Sequence, residues 1–150
     1  MRKKIAVIDG QGGGIGSAII QKIKEVLGES VEIVALGTNA IATAQMLKAK
    51  ANRGASGENA IVRTAQQVDV IVGPLAIVLA HSMMGEVTAA MAASVSSSAA
   101  PKLLLPLTQE NVTIIGGSGG PLPHLVAELV ETLLTRCLGV SPGKDQKTSM

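Results

Sequence analysis

The first apolar block, Ile5 to Ile8, runs into Asp9 and then into seven residues, Gly10 to Gly16, of which five are glycine. An unbroken apolar run of that length reads as a strand buried on both faces. Beyond the glycines the period changes. Ile15, Ala18, Ile19, Ile23, Val26 and Leu27 share one helical face, with Gln21, Lys22, Lys24 and Glu25 elsewhere. Val31 to Leu36 reads as a second buried strand ended by Gly37, Thr38 and Asn39. Ile41 to Lys50 reads as a helix broken by Ala51 to Gly57. A further helix over Glu58 to Gln67 leads to a third strand, Val68 to Gly73, closed by Pro74. Leu75 to Ala100 is rich in small and apolar residues and reads as two helices divided at Gly85. Its second half carries Met84, Val87, Ala90, Met91 and Val95 along one stripe. Lys102 to Leu107 is a fourth strand. The link Thr108 to Asn111 is too short for a crossover, so Val112 to Ile115 is expected to return antiparallel at the sheet edge. Leu122 to Leu138 closes the series as a helix with Leu125, Leu129, Val130, Leu133 and Leu134 facing inward.

Strands alternating with helices specify an α/β protein, Rossmann-like and doubly wound, with one domain over residues 1–138 and a mostly parallel sheet. The expected strand order is 3-2-1-4 plus the antiparallel edge strand, and residues 139–150 read as a polar, disordered tail. Two helices in succession between strands two and three would leave the chain at the wrong sheet edge for a parallel third strand. The parity is restored if Ala51 to Ala55 climbs back extended, at about 3.3 Å per residue. Ser56, Gly57, Glu58 and Asn59 then cap a helix at the same edge as the first glycine loop. The second glycine cluster, Gly116 to Gly120, falls at the opposite edge and reads as a connection.

Glycines between a buried strand and a helix let the backbone turn sharply and leave N–H groups unpaired at the positive end of the helix dipole. That geometry favours a phosphate. The P-loop pattern G-x-x-x-x-G-K-S/T is excluded, since no lysine lies between Lys4 and Lys22. The fingerprint G-x-G-x-x-G is excluded as well: it would need glycine at Ile15 or Ser17. What fits is G-x-x-x-G-x-G, with Gly10, Gly14 and Gly16 at the fixed positions and Ile15 between the last two. In this stretch the chain resembles the cofactor loop of the short-chain dehydrogenases. Their catalytic Tyr and Lys have no counterpart, because the chain contains no tyrosine. From Lys3 to about Leu134, through AVIDGQGGGIG, ALGTNAIAT, GASGENAIV and IVGPLAIVLA, the chain resembles a family of small bacterial Rossmann-like proteins described only as a domain of unknown function. That resemblance implies a fold and a cytoplasmic setting, and no activity.

The expected ligand is a nucleotide or dinucleotide, NAD(P) or a purine nucleotide. Its site comprises Gly10, Gly12, Gly13, Gly14, Ile15, Gly16, Gly37, Thr38, Asn39, Ser56, Gly57, Glu58, Asn59, Gly73 and Pro74. Strand two ends without the acid that holds a ribose in NAD enzymes and without a nearby arginine, so Thr38 and Asn39 are the remaining sugar or base contacts. The order of turns is also similar to that of tubulin-like GTPases, although their G-G-G-T-G-S/T-G loop has no counterpart at Gly73 to Val78. A ligand-free oligomeric scaffold is the alternative from a different class. Asp9 stands where a phosphate should approach, and it is expected to accept N–H bonds from the glycine loop, with a Mg²⁺ site as the alternative.

The chain has 150 residues, 47% of them hydrophobic, with no Phe, Tyr or Trp, so Ile, Val, Leu, Met and Ala must fill the core. A formal charge of +2 on evenly scattered ions and the lack of aromatic residues give no nucleic-acid footprint. The longest apolar run, Val70 to Ala80, is about half of what a membrane-spanning helix needs. A basic start interrupted at Asp9 is not read as a signal peptide, and a single cysteine, Cys137, fits a reducing compartment. A cytoplasmic protein is expected. The two histidines, His81 and His124, have no partner at catalytic spacing, no ligand spacing suggests a metal, and no catalytic residue is assigned. The apolar content and the stripe from Met84 to Val95 suggest self-association into a homo-oligomer, with core packing as the other reading of that stripe.

Overall fold

The computed structural model describes residues 1–107, 110–117 and 119–139. Its centre is a five-stranded parallel sheet built from β1 (Lys3–Asp9), β2 (Val31–Gly37), β3 (Arg53–Ser56), β4 (Val70–Pro74) and β5 (Lys102–Leu105), in the order β3-β2-β1-β4-β5. The helices are α1 (Gly14–Leu27), α2 (Ala40–Lys48), α3 (Glu58–Thr64), α4 (Ala89–Ser97) and α5 (Leu122–Thr132). β1 pairs with β2 over its full length, from Lys3 opposite Val31 to Asp9 opposite Gly37, and with β4 from Ile5 opposite Val70 to Val7 opposite Val72.

Side chains of alternate strand residues point to opposite faces, and the apolar runs therefore feed two separate layers. Ile5 and Val7 of β1 and Ile33 and Ala35 of β2 pack under α1, α2 and α5, against Ile19, Ile20, Ile23, Met46, Leu129 and Leu133. Ala6 and Ile8, with Val34 and Leu36, pack under α3 and α4, against Ile61, Ile77, Val87, Met91 and Val95. Helices on both faces explain why the strands are apolar without alternation. Cys137 lies half-buried against the first layer, where burial raises its thiol pKa and the Arg136 guanidinium partly offsets this.

The stretch expected to climb extended between two helices is a true strand. β3 pairs parallel with β2, from Val34 opposite Arg53 to Gly37 opposite Ser56. It takes the place beside β2 that the sequence reading gave to Val68–Gly73, and that segment lies instead between β1 and β5. The antiparallel edge strand is absent: Val112 to Ile115 is exposed and forms no strand, and all four strand pairings are parallel. The edge is left to β5, which β4 alone pairs.

The stretch from Leu75 onward departs most from expectation. In place of two helices it makes one 3-10 turn, Leu75–Val78, then an irregular loop, then α4, whose first turn is capped by Thr88 accepting the N–H of Met91 at 3.1 Å. Val87, Met91 and Val95 are 1%, 4% and 0% exposed, so these three members of the expected stripe are core, while Met84, 96% exposed, and Ala90 lie on the surface. The sequence expectation that 139–150 is a disordered tail concerns residues beyond Gly139 that lie outside the described ones, as does Ser118 of the second glycine cluster. Among the described residues no helix is long and apolar enough to cross a membrane.

Candidate functional site

The carboxyl ends of β1, β2, β3, β4 and β5 share one edge of the sheet. Between β1 and β4 the order reverses direction, and in open α/β sheets ligands bind in the crevice at such a point. A cavity of about 670 Å³ opens there. Its floor is the loop from Asp9 to Ile15, and its walls come from Pro74, Ala76, His81, Met83, Met84, Gly85, Leu107 and Glu110.

The turn after β1 is shaped by Asp9, which is 3% exposed. Its Oδ1 accepts the N–H of Gly10 at 2.8 Å and its Oδ2 accepts the N–H of Gly16 at 2.7 Å. This matches the expectation that the carboxylate ties the loop. Burial raises the Asp9 pKa, N–H bonds from Gly16, Gly10 and Ile15 pull against that, and the nearby Glu86 carboxylate adds to the rise. Gly13, at φ 74°, occupies the left-handed region as the residue before α1. A Cβ there would stand 2.8 Å from the Ala42 carbonyl oxygen, so glycine is required both by conformation and by the approach of α2. Gly13 itself donates to the Gly10 carbonyl at 2.9 Å. The N–H groups of Gly12 and Gly14 carry no hydrogen bond to any described residue, and a Cβ on either would meet nothing within 4 Å.

The turn after β2 is occupied. Asn39 caps α2 by accepting the N–H of Ala42 at 2.8 Å, while its Nδ2 donates to the Gln11 carbonyl at 3.0 Å and to Glu86 Oε1 at 2.8 Å. Thr38 Oγ1 donates to the same oxygen at 2.6 Å, and the N–H of Gln11 donates to it at 2.8 Å. Partial burial works against the Glu86 carboxylate. The donors Thr38, Gln11 and Asn39 outweigh it and hold its pKa below the ordinary carboxylate range.

Of the residues the sequence pointed to, Gly10, Gly12, Gly13, Gly14, Ile15 and Pro74 line the cavity. Gly16 sits one turn inside α1, where it serves packing: a Cβ would lie 2.6 Å from Met46 Sδ and 3.0 Å from Asp9 Cβ. Gly73 lies beneath, pressed against the Ile8 carbonyl. Thr38 and Asn39 face Glu86 and do not line the cavity. Ser56 to Asn59 do reach the same sheet edge, since the N–H of Gly57 donates to the Gly37 carbonyl at 2.9 Å. They stand beyond Thr43 of α2, to which Ser56 donates at 2.7 Å, and contribute nothing to the cavity wall. The expected convergence of both loops on one crevice is therefore not what forms: α2 separates them. His81 and His124, for which the sequence offers no partner at catalytic spacing, are both exposed, and His81 also lines the cavity.

The sequence reading missed Glu86, Met83 and Glu110. Glu110 accepts the N–H of Met83 at 2.8 Å and so ties the loop after β5 to the loop after β4. A signal for Glu86 existed: it is the one Asp, Glu, Lys or Arg between Asp69 and Lys102. Among the described residues no cluster of His, Cys, Asp and Glu could hold a metal ion.

Residues 4–137 match the model of a family described as Domain of unknown function (DUF3842). The chain belongs to this family. Among solved structures it is similar to a universal stress protein crystallised in complex with cAMP, at 18% identity and a TM-score of 0.41, with 70% of this chain and 98% of that one covered. A likeness that distant contributes nothing to the reading of the DUF3842 site. No curated protein matches the chain.

Proposed function

We propose that this DUF3842 chain binds the phosphate of a nucleotide in the cavity beside the glycine loop. The observation that carries the reading is the pair of N–H groups on Gly12 and Gly14, without acceptors among the described residues, at the N-terminus of a 14-residue helix that opens into about 670 Å³ of space. Open space above both glycines lets a phosphate approach the backbone itself. No Lys or Arg is among the described residues that line the cavity, so the anion relies there on N–H groups and the helix dipole, worth about 0.3–1 kcal/mol and up to roughly 2 when partly buried. The rest of the affinity falls to the base and sugar. Ala76, Met83, Met84 and Leu107 offer that part of the ligand an apolar wall, and His81 and Glu110 supply polar atoms at its rim.

Thermal shift across AMP, GMP, ATP, GTP, NAD, NADP and flavins tests the reading. Saturation at a hundred times the dissociation constant adds roughly 2.7 kcal/mol to folded-state stability, a shift of several degrees. Gly14→Val should abolish the shift, because its side chain fills the open space over the loop. Without Trp or Tyr the chain is nearly transparent in the near ultraviolet, so a nucleotide retained through purification would show directly in its spectrum. A well-folded protein that shifts with no member of the panel at millimolar ligand refutes the reading and leaves the scaffold alternative.

A further inference from the structure

We propose that Glu86 sets the ligand class of this site: its carboxylate takes the place of the second half of a dinucleotide, so that the cavity accepts a mononucleotide and refuses NAD(P). The inference rests on the nucleotide reading above and narrows it.

A dinucleotide crosses the point where the strand order reverses, with its pyrophosphate over the glycine loop and its adenosine over the end of the second strand. In this chain that crossing is filled by protein. A single oxygen, Glu86 Oε1, accepts the N–H of Gln11 at 2.8 Å, the hydroxyl of Thr38 at 2.6 Å and the amide of Asn39 at 2.8 Å. These donors belong to the β1 loop and the β2 turn, the two segments that a pyrophosphate and an adenosine ribose would otherwise meet. The side chain of Met83 covers the same place: a Cβ on Gly10 would lie 2.5 Å from its Sδ and 3.1 Å from Glu86 Oε1. The backbones of Gly12 and Gly14, whose N–H groups have no acceptor among the described residues, line the cavity together with Pro74, Leu107 and Glu110 of the β4 and β5 side, whereas Thr38, Asn39 and Glu86 do not line it.

The loop that delivers Glu86 is held, not merely draped. His81, Met83 and Met84 adopt φ of 67°, 54° and 56°, and Gly85 follows at 89°. Side chains disfavour that region, and such residues persist where the surroundings fix them. The fixing contacts are visible: Ser82, 1% exposed, donates to the Ala76 carbonyl at 2.6 Å, and the N–H of Met83 donates to Glu110 Oε1 at 2.8 Å. An ionised carboxylate in that position also repels a second phosphoryl group. One phosphorylated end therefore fits, on the cavity side only.

The test is calorimetric titration of the full chain and of Glu86→Gln and Glu86→Ala with AMP, GMP, NAD and NADP. The wild type should bind a mononucleotide at least about tenfold more tightly than either dinucleotide, and this ratio should shrink by about tenfold or more in Glu86→Ala. Glu86→Gln keeps the shape while removing the charge, so it reads the repulsive part alone and guards against a misfolded alanine variant. Equal affinity of the wild type for AMP and NAD, or a preference unchanged in both variants, overturns the proposal while leaving the nucleotide reading intact. If no form binds any of the four ligands this proposal is overturned, and the nucleotide reading is then decided by the wider thermal-shift panel.

Discussion

Two glycines of the same loop should respond in opposite ways to the same substitution. In Gly16→Ala the new Cβ would lie 2.6 Å from Met46 Sδ, 3.0 Å from Asp9 Cβ and 3.1 Å from Met46 Cγ. Met46 is fully buried, so it cannot swing into solvent. Overpacking of this kind costs about 1–3 kcal/mol. If α1 moves outward to relieve it, the 2.7 Å bond from Gly16 N–H to Asp9 is strained as well, and a hydrogen bond to a charged group contributes about 1.5–3 kcal/mol. The gain in helix propensity from Gly to Ala offsets at most about 1 kcal/mol. The net loss is roughly 1–4 kcal/mol, which at about 2–4 °C per kcal/mol for a chain of this size lowers the melting midpoint by about 2–16 °C. Gly14→Ala, with nothing within 4 Å of its Cβ, receives the propensity gain without the clash, so its midpoint should stay level or rise by a few degrees. Circular dichroism at the helix band measures both, since the chain has no aromatic residue to report unfolding by fluorescence. A Gly16→Ala protein as stable as wild type, or a Gly14→Ala protein equally damaged, would refute the packing account of Gly16.

Met91→Glu should abolish cooperative folding rather than dissociate an oligomer, because it places a carboxylate among Ile8, Ile61 and Val95 in a fully formed core. A monomer that melts like wild type would instead make Met91 a surface residue. The Glu86 carboxylate has its folded pKa held below the ordinary 4.5, so its stabilising contribution is present above that value and is lost as pH falls through the folded pKa. Urea melts of wild type and Glu86→Gln should thus differ near neutrality and converge in acid, and a difference that grows on acidification contradicts the hydrogen-bond geometry.

The parts of the fold legible in the sequence are those in which a local pattern and the tertiary requirement coincide. Ile5 to Ile8 and Val31 to Leu36 are apolar throughout because both sheet faces are covered, and the run itself announces that. Even the short β3, Arg53–Ser56, all of it exposed, follows from counting traversals rather than from hydrophobicity. Leu75 to Thr88 is where local reading fails. Its Ala, Leu, Ile and Met content suits a helix, yet the segment is set by contacts distant in sequence: Met83 against Gly10, Glu86 against Thr38 and Asn39, and the Met83 N–H on Glu110. No local rule places Met83 and Met84 at positive φ. Val112 to Ile115 fails for the opposite reason, since a short apolar run satisfies strand propensity but finds no described strand to pair with. The glycine loop was readable as a turn, and which of its glycines face open space was not, because Gly14 and Gly16 differ only in what α2 and Asp9 bring against them.

The acceptors around that loop also decide how much negative charge a ligand can bring. Gly10 and Gly16 give their N–H groups to Asp9, Gly13 gives its own to the Gly10 carbonyl, and Gln11 gives its own to Glu86. Ile15 is directed at Asp9 as well. Two fixed carboxylates therefore use most of the donors that a pyrophosphate would otherwise share, and Gly12 and Gly14 are left adjacent to the cavity. Glu110 in the cavity wall adds a third carboxylate, and no Lys or Arg among the described lining residues balances them. Each added phosphoryl group thus meets repulsion without finding a new donor. If the site holds a nucleotide as proposed, AMP should on this electrostatic ground bind more tightly than ADP or ATP, and calorimetric titration with the three checks it. The steric case built on Glu86 and Met83 is independent of that argument, and it selects against the dinucleotide by occupied volume alone.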